Sequence, residues 1–397
     1  MTVPAQAISA EVAIVGAGPV GLFLAHLLGQ AGIQTVVLEK RSGPEAPSMA
    51  IGIMPASLRL YDRVGLASAL VTAGVQVQTA LVHDPPAILG QLDFSGLPPP
   101  FPFILTLPQG ELMRLLREKL ALRPSVRLMV AHEATGIRQD ADSVHLRIQN
   151  AQTGLPAECT ARYVAACDGH DSPVRQLLDI PCAATVYPPS FVMGDFPDDT
   201  APSRQAHLYL TSKGSIESFP LPHRQRRWVA LSPGGGQDTA TLLQQVKIIT
   251  GISLPAQAEQ WHSFFTPKRQ LARSFHRGRV ILCGDAAHVM SPIGGQGMNT
   301  GFADAWHLAG ILRQTLRAGA ALDPLLAGYA SARKRAFCIA AARAARGMWL
   351  GAHTGRLFSA ARSLFIRRVL LRPPLARHLP AYFAMLTLPP PPPWEFP

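Results

Sequence analysis

Three separated stretches of this 397-residue chain hold residue types that can do chemistry. The first is Gly16-Ala17-Gly18-Pro19-Val20-Gly21. Its first glycine permits a tight turn. The second lets backbone approach a pyrophosphate, and the third lets a helix pack closely on a strand. A helix starting here would aim free N–H groups and a positive dipole end at an anion. Glu39 follows about 20 residues on, where a carboxylate accepts ribose hydroxyls, with Lys40 and Arg41 beside it. Gly-rich turns are common, so the hexapeptide alone says little. With an apolar run on each side and Glu39 at the right distance, it reads as a dinucleotide site. An acidic residue there suits an unphosphorylated ribose, hence FAD or NAD rather than NADP at this position.

The second stretch is Gly284-Asp285-Ala286-Ala287-His288, continuing to Ser291-Pro292-Ile293-Gly294-Gly295-Gln296-Gly297-Met298-Asn299. A plain loop before a helix is the bland alternative. Against it, a carboxylate at a buried strand end needs partners, and a polyhydroxylated ribityl chain would supply them. The glycines allow a flat ring to lie against backbone. A helix starting near Met298 would stabilise the negative charge of a reduced flavin. His288 reads as structural. The third stretch, Asp168-Gly169-His170-Asp171-Ser172-Pro173-Val174-Arg175, could alone be a turn and a capped helix. Beside the other two it reads as a further wall of the same site.

These residues must be held by an open parallel sheet. Val12–Val15, Thr35–Leu38, Arg162–Ala166 and Arg279–Cys283 are short continuous apolar runs, as in strands buried on both faces. The first leads into the Gly-rich turn and the other three into an acidic residue, which places the ligand at the strand ends. Residues 76–105 and 186–270 differ in character, with alternation as in His207-Leu208-Tyr209-Leu210. The expected architecture is α/β. A Rossmann-like FAD-binding domain (1–75, 106–185 and 271–350) carries an inserted mixed β-sheet substrate domain (76–105 and 186–270). A C-terminal helical segment with an extended Pro-rich tail completes the chain (351–397).

Composition bounds the function. With 48% apolar and 16% charged residues the chain is globular. The net charge of +12 fits a basic protein or attraction to anionic ligands. No nucleic-acid-binding signature accompanies it, so nucleic acid is not an expected partner. Cys159, Cys167, Cys182, Cys283 and Cys338 are odd in number and lack metal-ligand spacing. This predicts a reducing, cytoplasmic setting and no metal site. The first ten residues hold no Lys or Arg, so a secretory n-region is not expected. Residues 356–386 mix Leu and Phe with six arginines. They read first as helices covering the cofactor domain, and second as a peripheral contact with an anionic membrane.

Taken together, the three motifs resemble the class A flavoprotein monooxygenases, the para-hydroxybenzoate hydroxylase-like group, in order and separation over most of residues 8–350. Thr106-Leu107-Pro108-Gln109 resembles the family segment whose Gln approaches the cofactor, so Gln109 is carried over. One position departs. In Ser48-Met49-Ala50, Met49 stands where the family usually has an Arg that helps hold FAD phosphates or the nicotinamide donor. Arg41 is the nearby substitute candidate.

The resemblance implies FAD as cofactor and NADPH or NADH as electron donor. It implies O2 activation as a flavin C4a-hydroperoxide, and oxygen transfer to a hydrophobic aromatic substrate in secondary metabolism or aromatic catabolism. It implies cofactor contacts from Gly16–Gly21, Glu39–Arg41, Asp168, Gly169, Arg175, Gly284, Asp285, Pro292 and Gly295–Asn299. Pro292 would also form part of the catalytic wall. Phe191, Met193, His207, Tyr209, Phe219 and Pro220 would line the substrate pocket, with His207 and Tyr209 as the base candidates. A monomer or homodimer is expected. The alternatives are an oxygen-independent FAD reductase, a halogenase (whose Trp-x-Trp-x-Ile-Pro segment is missing) and a non-catalytic flavin-binding partner.

Overall fold

The computed structural model describes residues 7–43, 49–198 and 204–394; Ser48 lies outside them. Along the chain, β1 (Ala7–Val15), α1 (Pro19–Gln30) and β2 (Thr35–Glu39) form a β-α-β unit. A hairpin follows, β3 (Thr79–Asp84) and β4 (Ala87–Asp93). The chain then returns through α2 (Gln109–Leu120), β5 (Val126–Val130) and β6 (Pro156–Ala166), and a short helix α3 (Pro173–Leu177). Next come β7 (Phe191–Pro197), β8 (Gln205–Thr211), β9 (Gly214–Leu221) and β10 (Gln225–Leu231). They are followed by α4 (Thr239–Thr250), β11 (Trp261–Phe265) and β12 (Val280–Leu282). The chain closes with α5 (Gly297–Ala318), α6 (Leu322–Ala352) and α7 (Arg356–Phe365).

The first sheet has the parallel order β12-β6-β1-β2-β5. Successive strands leave β1 in opposite directions, so β1 marks a switch point, and its C-terminal edge is where such sheets bind ligands. Strands β1 and β6 run further than their apolar cores suggest, pairing from Ala7–Glu158 through Val15–Ala166. The outer half of β6 alternates exposed and covered residues, including exposed Glu158 and Arg162. A continuous apolar run therefore captures only its buried half. Helix α1 packs on this sheet and α5 packs on α1; Phe23, Tyr61 and Phe302 meet there at centroid distances of 4.5 to 5.6 Å.

The second sheet runs β11-β7-β10-β9-β8-β3-β4, antiparallel except where β8 meets β3. Residues 79–93 and 191–265, far apart in sequence, are joined by that one parallel pairing. One face packs Val192, Phe196, Ile216 and Trp228 against Leu242 and Val246 of α4. The other face, carrying Phe191, Met193 and Val229, turns toward the first sheet.

The Pro-rich tail has no regular secondary structure over residues 389–394 and is clasped to the body. Trp306 Nε1 donates to Pro392 O at 2.9 Å, and Trp394 Nε1 donates to Trp306 O at 3.0 Å. The two indoles lie 5.0 Å apart. Among the described residues no helix is long and apolar enough to cross a membrane.

Candidate functional site

The C-terminal ends of β1, β2, β6 and β12 converge on one cavity of about 1620 Å³, which extends from there beneath the second sheet. Drug-sized ligands occupy roughly 300–1,000 Å³, so this space accommodates a dinucleotide and a second molecule.

Glycine geometry explains the first wall. Gly16 has φ +100°, and a Cβ there would lie 2.4 Å from Cys167 O. A Cβ on Gly21 would lie 2.0 Å from Gly16 O, so only glycine lets α1 approach its strand. Gly18 caps α1 without a side-chain hydrogen bond, and a Cβ there would meet nothing within 4 Å because it faces the cavity. Pro19 starts the helix, where a missing N–H costs nothing. The three glycines thus divide into two that hold the turn and one that leaves room for a phosphate.

Glu39 is buried at the end of β2. It accepts from Ala17 N at 2.9 Å, Arg41 N at 3.0 Å and Arg41 Nε at 3.1 Å. Burial opposes its ionisation, but these donors and the Arg41 charge together hold its carboxyl below the usual range. Lys40 and Arg41 line the cavity with it.

Asp285 behaves differently. Its carboxylate faces the cavity and meets no protein donor among the described residues, and enclosure by the protein pushes its pKa up. A carboxylate left open to the cavity in this way can accept ligand hydroxyls, and a ribityl chain offers them. Gln296 repeats the signal: its Oε1 is buried without a partner, and the residue lines the cavity at the N-terminus of α5. The residues present therefore fit FAD. Glu39 and the Gly18 turn suit the adenosine half, while Asp285 and the start of α5 suit the ribityl and ring half.

Four expected cofactor residues do not reach the cavity. Gly21 and Gly284 make backbone turns behind it; Gly284 has φ +63° and packs on Val20. Arg175 is buried and donates to Ala286 O at 2.8 Å and His170 O at 2.9 Å. It braces two turns against each other. Asn299 spends its amide on Met54 N, Gly52 O and Gly295 O, all within 2.8 to 2.9 Å. It fixes the Pro292–Met298 loop, in which Gly295 N also donates to Pro292 O at 2.9 Å. Pro292, Gly295, Gln296, Gly297 and Met298 do line the cavity, as do Gln109, Asp168 and Gly169. Asp168 also accepts from Ser172 Oγ at 2.6 Å and Val174 N at 2.9 Å, so part of its capacity caps α3.

The base candidates need correction. Along β8 it is Ala206, Leu208 and Leu210 that line the cavity. His207 and Tyr209 point to the opposite face, where His207 Nδ1 lies 3.1 Å from His83 Nε2 and Tyr209 stacks on His83 at 4.5 Å. A strand alternates its side chains, so a one-residue choice of register decides which set faces inward. Pro220 is likewise off the cavity, whereas Phe191, Met193 and Phe219 line it.

Three functional groups escaped sequence reasoning. Arg227, on β10, is buried in a bidentate pair with Asp195 at 2.7 Å, lies over Trp261 and donates to Met49 O at 2.8 Å. An arginine from the second sheet thus grips the backbone at the position where the chain carries Met49. Asp304 is fully buried and accepts from Gly284 N, His288 Nε2 and Arg333 Nε, at 3.2, 2.6 and 2.5 Å. It ties the Asp285 turn to α5 and α6, and gives His288 its structural place. Glu217 on β9 faces the cavity. No motif marks these residues, because each is defined by partners distant in sequence.

The fold and site define an FAD-binding α/β protein with a second sheet roofing the cofactor. Comparison with known families agrees: the FAD binding domain family matches residues 9–344, and the chain belongs to it. The chain is 32% identical over 340 residues to a 6-methylpretetramide 4-monooxygenase of Streptomyces rimosus, covering 83% of this chain and 60% of that protein. It is 32% identical over 352 residues to an Escherichia coli 3-(3-hydroxy-phenyl)propionate/3-hydroxycinnamic acid hydroxylase, with the same coverage. The chain therefore spans about 60% of the length of these curated relatives. Among solved structures, p-nitrophenol 4-monooxygenase PnpA from Pseudomonas putida DLL-E4 superposes with TM-score 0.87 at 26% identity, covering 96% of this chain and 99% of that one. OxyS anhydrotetracycline hydroxylase from Streptomyces rimosus gives 0.76 at 27%, covering 97% and 77%.

Proposed function

We propose that this chain is an FAD-dependent monooxygenase that uses NADH or NADPH and O2 to hydroxylate or epoxidise a hydrophobic aromatic substrate. The observation that carries this reading is the single cavity that joins the cofactor cradle to an apolar chamber. One end presents Gly18, Asp285 and Gly295; the other presents Met193, Leu208, Phe219 and Val229. The names of the four similar proteins given above, each a hydroxylase or monooxygenase, support it.

When bound, FAD supplies the transfer of electrons from a nicotinamide donor to dioxygen. The chain's own part is positional. Asp285 would hold the ribityl hydroxyls. The first turn of α5 would offer its N–H groups to the ring. Pro292 and the glycines after it form a flat wall. The apolar face of the second sheet holds an aromatic ring and excludes water, which otherwise diverts the oxygen chemistry to hydrogen peroxide.

The test is direct. FAD-loaded protein should oxidise NADH or NADPH in air faster when a lipophilic aromatic substrate is present, with product mass raised by one oxygen atom. If a broad panel of one- to four-ring aromatics neither accelerates donor oxidation nor gains oxygen, the reading fails. Turnover that persists without O2 would favour a reductase.

The same reading includes peripheral contact with an anionic membrane. Exposed Leu357, Leu364, Phe365 and Val369 lie among Arg356, Arg367 and Arg368. Phe365 also lines the cavity, which brings its rim to this surface. From Pro324 to Trp394 there are eleven Lys and Arg and no Asp or Glu. A monomer or homodimer in the cytoplasm completes the proposal.

A further inference from the structure

The cavity wall contributed by the second sheet is apolar apart from Ser215, Glu217 and Arg227. On β9, Ile216 and Ser218 face α4 and Arg226, while Glu217 alternates with them and faces the cavity. Its cross-strand neighbours are Leu208 on β8 and Val229 on β10. Phe219 stands beside it on the same face. Among the described residues no donor reaches the Glu217 carboxyl. The residue is half-buried, and a carboxyl that meets no protein donor there is open to a ligand that donates to it.

We propose that Glu217 accepts a hydrogen bond from a ring hydroxyl of the aromatic substrate and takes its proton as that ring is oxygenated. This rests on the monooxygenase reading above. In the proton step the substrate O–H bond breaks and a Glu217 O–H bond forms. The electron pair left on the substrate oxygen moves toward the ring and makes it more reactive to electrophilic oxygen. The ring hydrogen displaced at the new C–O bond then leaves as a proton to solvent, and Glu217 returns its own to the substrate oxygen as the ring regains aromaticity.

The surroundings set what Glu217 can do. Facing it from β8 are Ala206, Leu208 and Leu210, none titratable. From β10 comes Arg227, already paired with Asp195. From the short antiparallel pair Val75–Val77 and Ile104–Thr106, which lies beside β9, come Val77, Ile104 and Thr106. Arg343 and Arg346 of α6, and His378 and Tyr382 beyond α7, also line the cavity. None of them shifts Glu217; enclosure alone pushes its carboxyl up to about 7. A general base works best with a pKa near the working pH. The basic rim and the cavity arginines disfavour a cationic substrate, and Glu217 disfavours a carboxylate at its own end. A neutral hydroxyl is what remains.

The experiment measures equilibrium binding to FAD-loaded protein, so it does not depend on turnover. Fused-ring phenols of one to four rings, each paired with its methyl ether, are titrated into wild type, Glu217→Gln and Glu217→Leu at pH 6 and pH 8. At least one phenol should bind about ten-fold more tightly than its ether to wild type at pH 8. That preference should shrink at pH 6, vanish in Glu217→Leu, and lose its pH dependence in Glu217→Gln. If no pair is discriminated, if Glu217→Leu keeps the full preference, or if the corresponding aryl amine binds more tightly than the phenol, the assignment is overturned. Discrimination without any oxygenated product would instead sink the monooxygenase reading and leave Glu217 as a hydroxyl-binding residue.

Discussion

Asp285 and Glu217 are two carboxyls that face the same cavity without protein donors, and both have raised pKa values because the protein encloses them. Their removal should have different consequences. Asp285→Ala takes away a hydrogen-bond acceptor to the cofactor and nothing from the fold. A hydrogen bond to a charged group contributes about 1.5–3 kcal/mol, so FAD affinity should fall roughly 10- to 100-fold with the far-UV spectrum unchanged. Full retention of flavin after gel filtration would remove the ribityl role. Glu217 makes a stability prediction instead. Its folded pKa, about 7, lies above the ordinary 4.5. Its proton is therefore held more tightly in the folded state. Stability is undiminished below pH 4.5 and falls as pH rises toward 7. Glu217→Gln removes the group that loses out, so it should be more stable than wild type at pH 8, by about 2 kcal/mol once water in the cavity is allowed for. The gain should disappear by about pH 4.5. Urea titrations at both pH values test this; a difference that does not change with pH contradicts it.

At the scale of elements, the sheet edges and the tail do the positioning. The Pro-rich segment crosses α5, and Trp394 packs so close to Gly310 that a Cβ there would lie 3.0 Å from the indole. Trp394→Ala loses that packing and the bond to Trp306 O, which together should cost about 2–4 kcal/mol. The urea midpoint should fall, and protease should clip the tail faster. Unchanged values for both would mean that the clasp contributes nothing. The parallel cofactor strands were largely legible beforehand, because strands buried on both faces need continuous apolar residues. The antiparallel sheet was legible only as alternation. Alternation reveals that a strand has two faces but not which face meets the core, and that is how His207 and Tyr209 came to be expected on the cavity side.

For the whole molecule, the relevant feature is where charge and apolar surface coincide. The C-terminal third carries the concentrated basic charge, and its apolar residues near α7 are exposed beside the cavity rim. Each basic residue near an anionic surface contributes roughly 1 kcal/mol at low ionic strength and less as salt shortens the Debye length. The protein should therefore co-sediment with vesicles containing phosphatidylglycerol at low salt, and be released in 0.5 M salt (a Debye length of about 4–5 Å). Leu357→Asp with Phe365→Asp should weaken binding in both conditions. No sedimentation at low salt would eliminate membrane contact and leave the segment as a cover for the cavity.

The amino-acid sequence by itself determined the cofactor turn. A glycine at 16 or 21 is required by contacts of 2.4 and 2.0 Å that any Cβ would violate, and the apolar runs on either side specify the strands that set those contacts up. Such information is local, so it survives in a short motif. The tertiary structure alone decided what faces the cavity from the other side. It turned Glu217 inward and His207 outward, brought Arg227 from the second sheet to the backbone of Met49, and spent Arg175 and Asn299 on bracing backbone. The facing of Glu217, His207 and Arg227 depends on which strands pair and in what register, and a shift of one residue would reverse it; Arg175 and Asn299, on helices, depend on which turns those helices meet.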